Sequence, residues 1–296
     1  MKTVTVNAFA KVNLFLDIVG QNDGYHMLDS VVVTIDLKDK ITLTKRRDDK
    51  IVLKQRDGLY SVGIADESNN AYKAAKLFME RFNTSGVDIA LKKNIPIGSG
   101  LGGSSADISG VLNGMKQLYD IEEDIKPLAD ALGSDSGYLL TGGYARLKGR
   151  GEIVEELSLK NKLYMVIIPA DGGVNTAECF KLCDSLSQEI VANGADRLIT
   201  ALDGGFYDRT HFYNALYKPA TVLNKNVANA YEDLLSLSPR AVCMSGSGSS
   251  VFAIFDTPEF CLWAEKKLKR KYPNLILSES LTKAELNKTT KSIYNI

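Results

Sequence analysis

The residues best suited to chemistry lie in Ile95–Asp107, IPIGSGLGGSSAD, where four glycines and three serines occupy seven of the nine positions from Gly98 to Ala106. Glycine tolerates positive φ and lets a ligand come close to the backbone. Ser104 or Ser105 is a suitable helix cap, and the first amides of a helix are unpaired and sit at the positive end of its dipole. A polyphosphate satisfies both conditions, so Pro96, Gly98, Ser99, Gly100, Leu101, Gly102, Gly103, Ser104, Ser105 and Ala106 form a candidate anion cradle. The same spacing also occurs in glycine-rich turns that bind nothing. No lysine follows the glycines, so the Walker A form GxxxxGK[ST] is absent, while GxGxxG fits Gly98 to Gly103 literally. A dinucleotide fold places that motif at the first turn of a parallel sheet; here about ninety residues of alternating, antiparallel-looking strand precede it.

Other constellations are sparse. Cys179, Cys183, Cys243 and Cys261 contain no CxxC pair, and Cys179 with Cys183 reads as one buried helix face more readily than as a metal site. Only His26 and His211 are available as imidazole bases and no GxSxG turn is present, which counts against a serine hydrolase.

The elements that must position the loop follow from periodicity. TVTVNAFAKVNLFLDIV, SVVVTIDL, DKITLTK and KIVLKQ alternate with period two and predict a mostly antiparallel sheet. In ESNNAYKAAKLFMERF, Ala71, Ala74, Ala75, Phe78, Met79 and Phe82 share a helical face behind a Ser68/Asn69 cap. GVDIALKK is a strand, and SADISGVLNGMKQLYDI a helix, so the glycine loop joins strand to helix. IKPLADAL and SGYLLT are shorter helical patterns, followed by strands in GYARLKGRG, EIVEEL and LYMVIIPA. Beyond them, TAECFKLCDSL, GADRLITALD, HFYNALY, NVANAYEDLLSL and PEFCLWAEKKLKRKY read as helices; AVCMS, SVFAIFD and NLILSES read as strands. This is an α+β class with two lobes, 1–155 and 156–296, helices packed on mixed, mostly antiparallel sheets and a ligand cleft between the lobes.

Composition allows a full core. The 296 residues are 45% apolar, and a chain of this size buries roughly 75% of its unfolded surface. The 36 basic and 36 acidic residues cancel, which argues against nucleic-acid or membrane-surface partners; KKLKRK, Lys266 to Lys271, reads as a solvated helix face. No apolar run reaches the ~18 residues of a membrane helix, the N-terminal alternation does not resemble a leader, and the cysteine pattern suits a reducing, cytoplasmic setting.

PIGSGLGGSSA resembles the phosphate loop PxxxGLGSSA of the kinase superfamily named for galactokinase, homoserine kinase, mevalonate kinase and phosphomevalonate kinase. AKVNLFL (10–16), DGYH (23–26), LGSD (132–135), GRGE (149–152), GVNTAECF (173–180) and MSGSGSSVFA (244–253) extend the resemblance over nearly the whole chain. Together they are similar to the branch that phosphorylates a cytidine diphosphate alcohol in non-mevalonate isoprenoid precursor synthesis. The family's Asp-Val-Pro-Phe continuation is replaced here by Asp135-Ser136-Gly137-Tyr138.

The resemblance implies ATP and Mg²⁺ as cofactors, Asp135 as the base that takes the acceptor hydroxyl proton, and Lys11 beside it to hold developing negative charge. It places Asn70 near the adenine and Ser105 near the metal, a hard cation that keeps waters and takes few protein ligands. Tyr25 and Phe180 match an aromatic pair that stacks a cytosine, His26 the residue that reads the base's edge, and Asn13 and Thr176 groups that orient the polyol or diphosphate. The second glycine turn, Ser245 to Ser250, is expected to line the cleft opposite the first. The protein is expected to act on a small molecule, as a monomer or homodimer. A sister kinase acting on homoserine, mevalonate or a sugar, and a non-catalytic nucleotide sensor on the same fold, are the alternatives.

Overall fold

A computed structural model describes residues 2–60, 67–186 and 191–292. The chain opens with β1 (Thr3–Asn22) and β2 (Tyr25–Lys45), a long antiparallel hairpin in register from Thr3↔Thr44 to Asn22↔Tyr25. Asp23 and Gly24 form its two-residue turn, both at positive φ (50° and 77°), the geometry that matches strand twist and favours Asp-Gly. The register slips between Phe9 and Lys11 and again between Asn13 and Phe15. Such bulges re-aim side chains, and Lys11 and Asn13 lie between the two.

β2 replaces the two expected strands SVVVTIDL and DKITLTK. The strand runs unbroken through its charged middle, Lys38-Asp39-Lys40, where the fully buried Asp39 carboxylate accepts from the backbone N–H of Asn94 (2.5 Å) and Ile95 (2.9 Å). After β3 (Ile51–Arg56), α1 (Asn70–Phe82) begins at Asn69, whose side chain accepts from Ala71 N as an N-cap should. β4 (Val87–Lys92) leads through the glycine loop into α2 (Gly103–Leu118). There follow α3 (Lys126–Leu132), the single turn α4 (Ser136–Leu139), β5 (Tyr144–Gly149), β6 (Ile153–Leu157) and β7 (Tyr164–Pro169).

The C-terminal part contains α5 (Thr176–Ser185), α6 (Gly194–Gly204), a 3₁₀ turn at Arg209–His211, β8 (Tyr213–Asn214), α7 (Tyr217–Leu223) and α8 (Lys225–Leu235). It closes with β9 (Ala241–Met244), β10 (Ser250–Phe255), α9 (Pro258–Leu268), β11 (Ile276–Leu281) and α10 (Lys283–Ser292). HFYNALY is not the expected helix. Asp208 closes a capping box on His211, Tyr213–Asn214 then pairs parallel with Phe15–Leu16, and the Asn214 amide donates to the carbonyls of Met244 and Gly246. Tertiary pairing overrides a weak local pattern there.

The sheet runs β3-β4-β2-β11-β7-β10-β9, with β1 and β5 also on β2, β6 on β5 and β8 on β1. Among the described strands only the pairs β3–β4 and β1–β8 are parallel. β11 joins the halves by pairing with β2 through Ser280↔Ile35 and with β7 through Ile276↔Ile167. Alternation then assigns the two faces: Met165 and Ile167 of β7 join the core under α1 and α2, while Val166 and Ile168 join the core under α5, α8 and α9. The strands of β1 and β2 thereby become a rigid floor on which α2 holds the loop; Gly110 and Gly114 let the helix settle against Ala8 and Leu43, where a Cβ would meet side chains at 2.9 and 2.3 Å.

Candidate active site

Gly98, Gly100 and Gly102 adopt positive φ (64°, 78° and 72°), as a close-approach loop requires. Gly103 does not; it is the first residue of α2. The helix is capped by Gly102, with no side-chain cap, so neither Ser104 nor Ser105 plays the expected capping role. The physical consequence favours an anion: the first-turn amides of a sixteen-residue helix face the loop with no side-chain oxygen on them. Pro96, Gly98 through Ser105, Asn70, Lys93 and Asp107 border one cleft of about 350 Å³. Asn70 Nδ2 donates to Ser104 Oγ and so ties α1 to the loop. Ala106 lies outside this cleft, packed in the core.

The loop is fastened from two sides. The backbone N–H of Lys11 donates to Leu101 O (3.0 Å), and Ser250 N donates to Ser99 O (2.9 Å). Ser245 Oγ donates to Gly100 O (2.9 Å). The turn Ser245 to Ser250 therefore packs directly on the first glycine loop instead of facing it across the cleft.

Lys11 carries the loop's position to the second set of residues. Its stem lies against Gly102, where a Cβ would stand 3.0 Å from Lys11 Cγ. Its buried ammonium is 3.2 Å from Asp135 Oδ2 and donates to Asn13 Oδ1 at 2.5 Å. Asn13 is held in turn, accepting from Gly246 N (2.9 Å) and donating to Ser30 Oγ (2.8 Å), so its amide fixes the direction of Lys11. Asp135 stands at the N-cap position of α4, and its side chain makes no capping hydrogen bond to that helix. Its carboxylate is left to Lys11 and to solvent.

The remaining predicted residues meet elsewhere. Tyr25, His26 and Phe180 line a cleft of about 660 Å³ with Arg150, Lys181, Asp184 and residues of the α3–α4 connection. Phe180 lies over His26 with ring centroids 4.7 Å apart, and the Arg150 guanidinium covers the Tyr25 ring at 4.4 Å. Gly133 and Ser134 border this cleft, and Asp135 follows them in the chain. Thr176 begins α5, with its hydroxyl 2.8 Å from Ser247 Oγ.

Residues 69–144 match the GHMP kinases N terminal domain, and residues 207–260 match GHMP kinases C terminal. A 4-diphosphocytidyl-2-C-methyl-D-erythritol kinase of Clostridium beijerinckii is 35% identical over 93% of this chain and 99% of its own length. One from Syntrophomonas wolfei is 32% identical over 94% and 99%. The chain belongs to the 4-diphosphocytidyl-2-C-methyl-D-erythritol kinase family. A crystal structure of 4-(cytidine 5'-diphospho)-2C-methyl-D-erythritol kinase superposes on it with a TM-score of 0.79 at 29% identity, covering 94% of this chain and 99% of that one. Homoserine kinase from Cytophaga hutchinsonii shares the fold, with a TM-score of 0.71 at 19% identity. Kinases of this family are phosphotransferases that use ATP on a hydroxyl-bearing small molecule, and among the described residues no helix is long and apolar enough to cross a membrane.

Sequence reasoning missed a buried ion cluster under the loop of this kinase. Lys93 donates to Asp39 and, at 2.6 Å, to Asp107, all three carrying little solvent exposure. Burial alone would lower the Lys93 ammonium, but the Asp107 and Asp39 carboxylates outweigh it and raise it. Burial pushes the Asp107 carboxyl up to about 7 against the pull of Lys93. One signal was available: Lys93 stands three residues before Pro96, and Asp107 stands four residues past Gly103, where the following helix starts. All four cysteines are buried, and burial pushes the thiols of Cys179 and Cys243 up to about 12, away from the reactive thiolate form.

Proposed function

We propose that the glycine loop, Lys11 and Asp135 act as one unit that transfers the terminal phosphoryl group of ATP to a hydroxyl of 4-diphosphocytidyl-2-C-methyl-D-erythritol, the activity the family is named for. The observation that carries this reading is Lys11: one residue bonds the loop at Leu101, packs on Gly102 and pairs with Asp135 at 3.2 Å.

The chain's own groups fit ATP. The cradle at Gly98, Gly100 and Gly102 is bare backbone that a side chain would strain, and the α2 amides behind it carry no side-chain cap. A metal fits in the manner of Mg²⁺ with nucleotide, which needs few protein ligands; among the described residues no group of three His, Cys, Asp or Glu side chains could hold one by itself. Ser105, in the first turn of α2 and on the border of the cleft, is the hydroxyl proposed to stand beside it. When bound, ATP supplies the transferable group and Mg²⁺ offsets its charge.

Phosphoryl transfer requires alignment and charge neutralisation more than covalent chemistry. The loop amides hold the phosphates. Asp135 Oδ2 takes the proton of the acceptor hydroxyl, and Lys11 Nζ stabilises the oxygen as it gains negative charge. Asn13 keeps Lys11 from turning away. The cytidine end is proposed to occupy the cleft of Tyr25, His26 and Phe180, with Thr176 at the start of α5 near the diphosphate and the alcohol reaching Asp135 past Gly133 and Ser134. In this reading residues 1–155 form the nucleotide lobe and residues 156–296 complete the substrate cleft through α5.

The test is ADP release with a panel of acceptors. The cytidyl diphosphate methylerythritol is expected to be consumed, and homoserine, mevalonate and simple sugars are not. Turnover of mevalonate or homoserine without turnover of the cytidyl compound would overturn the substrate, and ATP binding without turnover of any acceptor would overturn the catalytic role of Asp135.

A further inference from the structure

His26 and Asp184 are 158 residues apart and in contact. His26 Nε2 lies 2.7 Å from Asp184 Oδ1, and Gln21 Nε2 donates to the same oxygen at 3.0 Å. The two nitrogens are 3.1 Å from each other, the spacing of two donors that converge on one acceptor. An ionised carboxylate only accepts, so a neutral His26 with this contact carries its proton on Nε2 and has its lone pair on Nδ1. The cage is built by local geometry. Gln21 and His26 are paired across the β1–β2 hairpin, and Phe180 and Asp184 are one turn apart on α5, so a single helical face brings both the ring that covers His26 at 4.7 Å and the carboxylate that bonds it. His26 itself is mostly enclosed and borders the 660 Å³ cleft. The other charged side chains of that cleft are Arg150, Lys181, Glu152 and Asp130.

We propose that Asp184 is a positioning residue that holds His26 as the Nε2–H tautomer and thereby presents Nδ1 to the cleft as a hydrogen-bond acceptor for the exocyclic amine of a bound cytosine. Cytosine offers an amine donor where uracil offers a carbonyl acceptor. An acceptor nitrogen in a fixed direction rewards the first and repels the second; stacking on Phe180 or Tyr25 does neither. Base selection then depends on a residue that touches no substrate atom. The inference rests on the cytosine reading of the cleft.

Three proteins test it: wild type, Asp184→Ala and Asp184→Asn. Asparagine keeps an acceptor oxygen, so it should rescue what alanine loses. Because the chain has only two histidines, ¹⁵N spectra of the imidazoles, assigned with His26→Gln, report the tautomer in the free protein. Wild type and Asp184→Asn are expected to show the Nε2–H form for His26, and Asp184→Ala a mixture. In kinetics, Asp184→Ala should raise KM for the cytidyl compound by about 5- to 50-fold, with kcat within about twofold, and narrow the preference over the uridyl analogue by a similar factor. An unchanged tautomer, or an unchanged preference in Asp184→Ala, overturns the role of Asp184. If wild type itself uses both compounds equally, the cytosine reading falls and takes the base-selection role with it, whereas the tautomer spectra still decide whether Asp184 orders His26.

Discussion

Ser245 Oγ donates to Gly100 O at 2.9 Å, joining two glycine turns that are 145 residues apart in sequence. Gly100 has φ +78°, and a Cβ built on it would lie 2.1 Å from the carbonyl oxygen of Ser245. Neither backbone can withdraw, because Ser250 N also holds Ser99 O. The glycine loop is therefore braced by the C-terminal half of the chain.

Gly100→Ala is accordingly expected to damage both folding and function. A left-handed alanine alone costs about 1–2 kcal/mol, and the clash adds to it, so the melting temperature should fall by at least ~3 °C and the KM for ATP should rise. Thermal unfolding and initial-rate assays decide it; a variant with wild-type stability would mean that the brace is not rigid.

Gly102→Ala and Gly103→Ala separate conformation from space. Gly102 is at φ +72° with Lys11 Cγ 3.0 Å from its would-be Cβ, so alanine there strains the backbone and pushes on Lys11, the proposed catalytic lysine. At Gly103 the nearest atom is Ile95 Cγ2, also at 3.0 Å, but φ is not positive and the neighbour is the end of a side chain. Gly102→Ala should lower kcat by more than tenfold, about the loss of one well-placed interaction, and Gly103→Ala by much less. Equal losses in the two variants would put the requirement in bulk instead of backbone.

Asp135→Asn keeps shape and removes the carboxylate. Turnover should drop by ~10² to 10⁴, the range of a positioned base. Asp135 does not border the cleft that contains the glycine loop, so ATP affinity should stay within about threefold, a change too small to reflect a lost contact. Rapid-quench turnover and nucleotide titration read the two quantities independently, and a variant within tenfold of wild type would assign the proton elsewhere.

Asp107 sets a pH dependence of stability. Its carboxyl is raised from 3.8 to about 7 by burial, with Lys93 opposing and Asp39 adding to the rise. Between those values the folded protein binds more protons at this site than the unfolded chain does, so its contribution to stability is full at low pH and is lost as pH rises through about 7. Asp107→Asn removes that loss. Relative to wild type, the variant should gain stability between pH 5 and pH 8, measured by denaturant unfolding at both; a constant difference would show that Asp107 stays ionised beside Lys93.

Much of this kinase is legible in its sequence because the relevant signals are short-range. Period-two alternation identifies β1 and β4, short unbroken apolar runs identify β7 and β10, the 3.6-residue face of Ala71, Ala74, Ala75 and Phe78 identifies α1, and Asn69 marks its first turn, since each depends only on neighbours along the chain. The density of glycine from Gly98 to Gly103 likewise announces a loop that needs bare backbone. What the sequence could not assign is the choice among distant partners. SVVVTIDL and DKITLTK read as two strands, and they run on as one because Asn94, Ile95 and Lys93 supply the bonds that let Asp39 be buried in the middle of β2. Tyr213–Asn214 becomes a strand only because the edge of β1 is there to pair with it, and the Ser245 turn braces Gly100 only because β9 and β10 end beside the loop. Local pattern dictates which conformations a segment favours. Burial of charge, pairing of a strand edge and contact between turns are decided by which surfaces the folded chain brings together, and no residue carries that information alone.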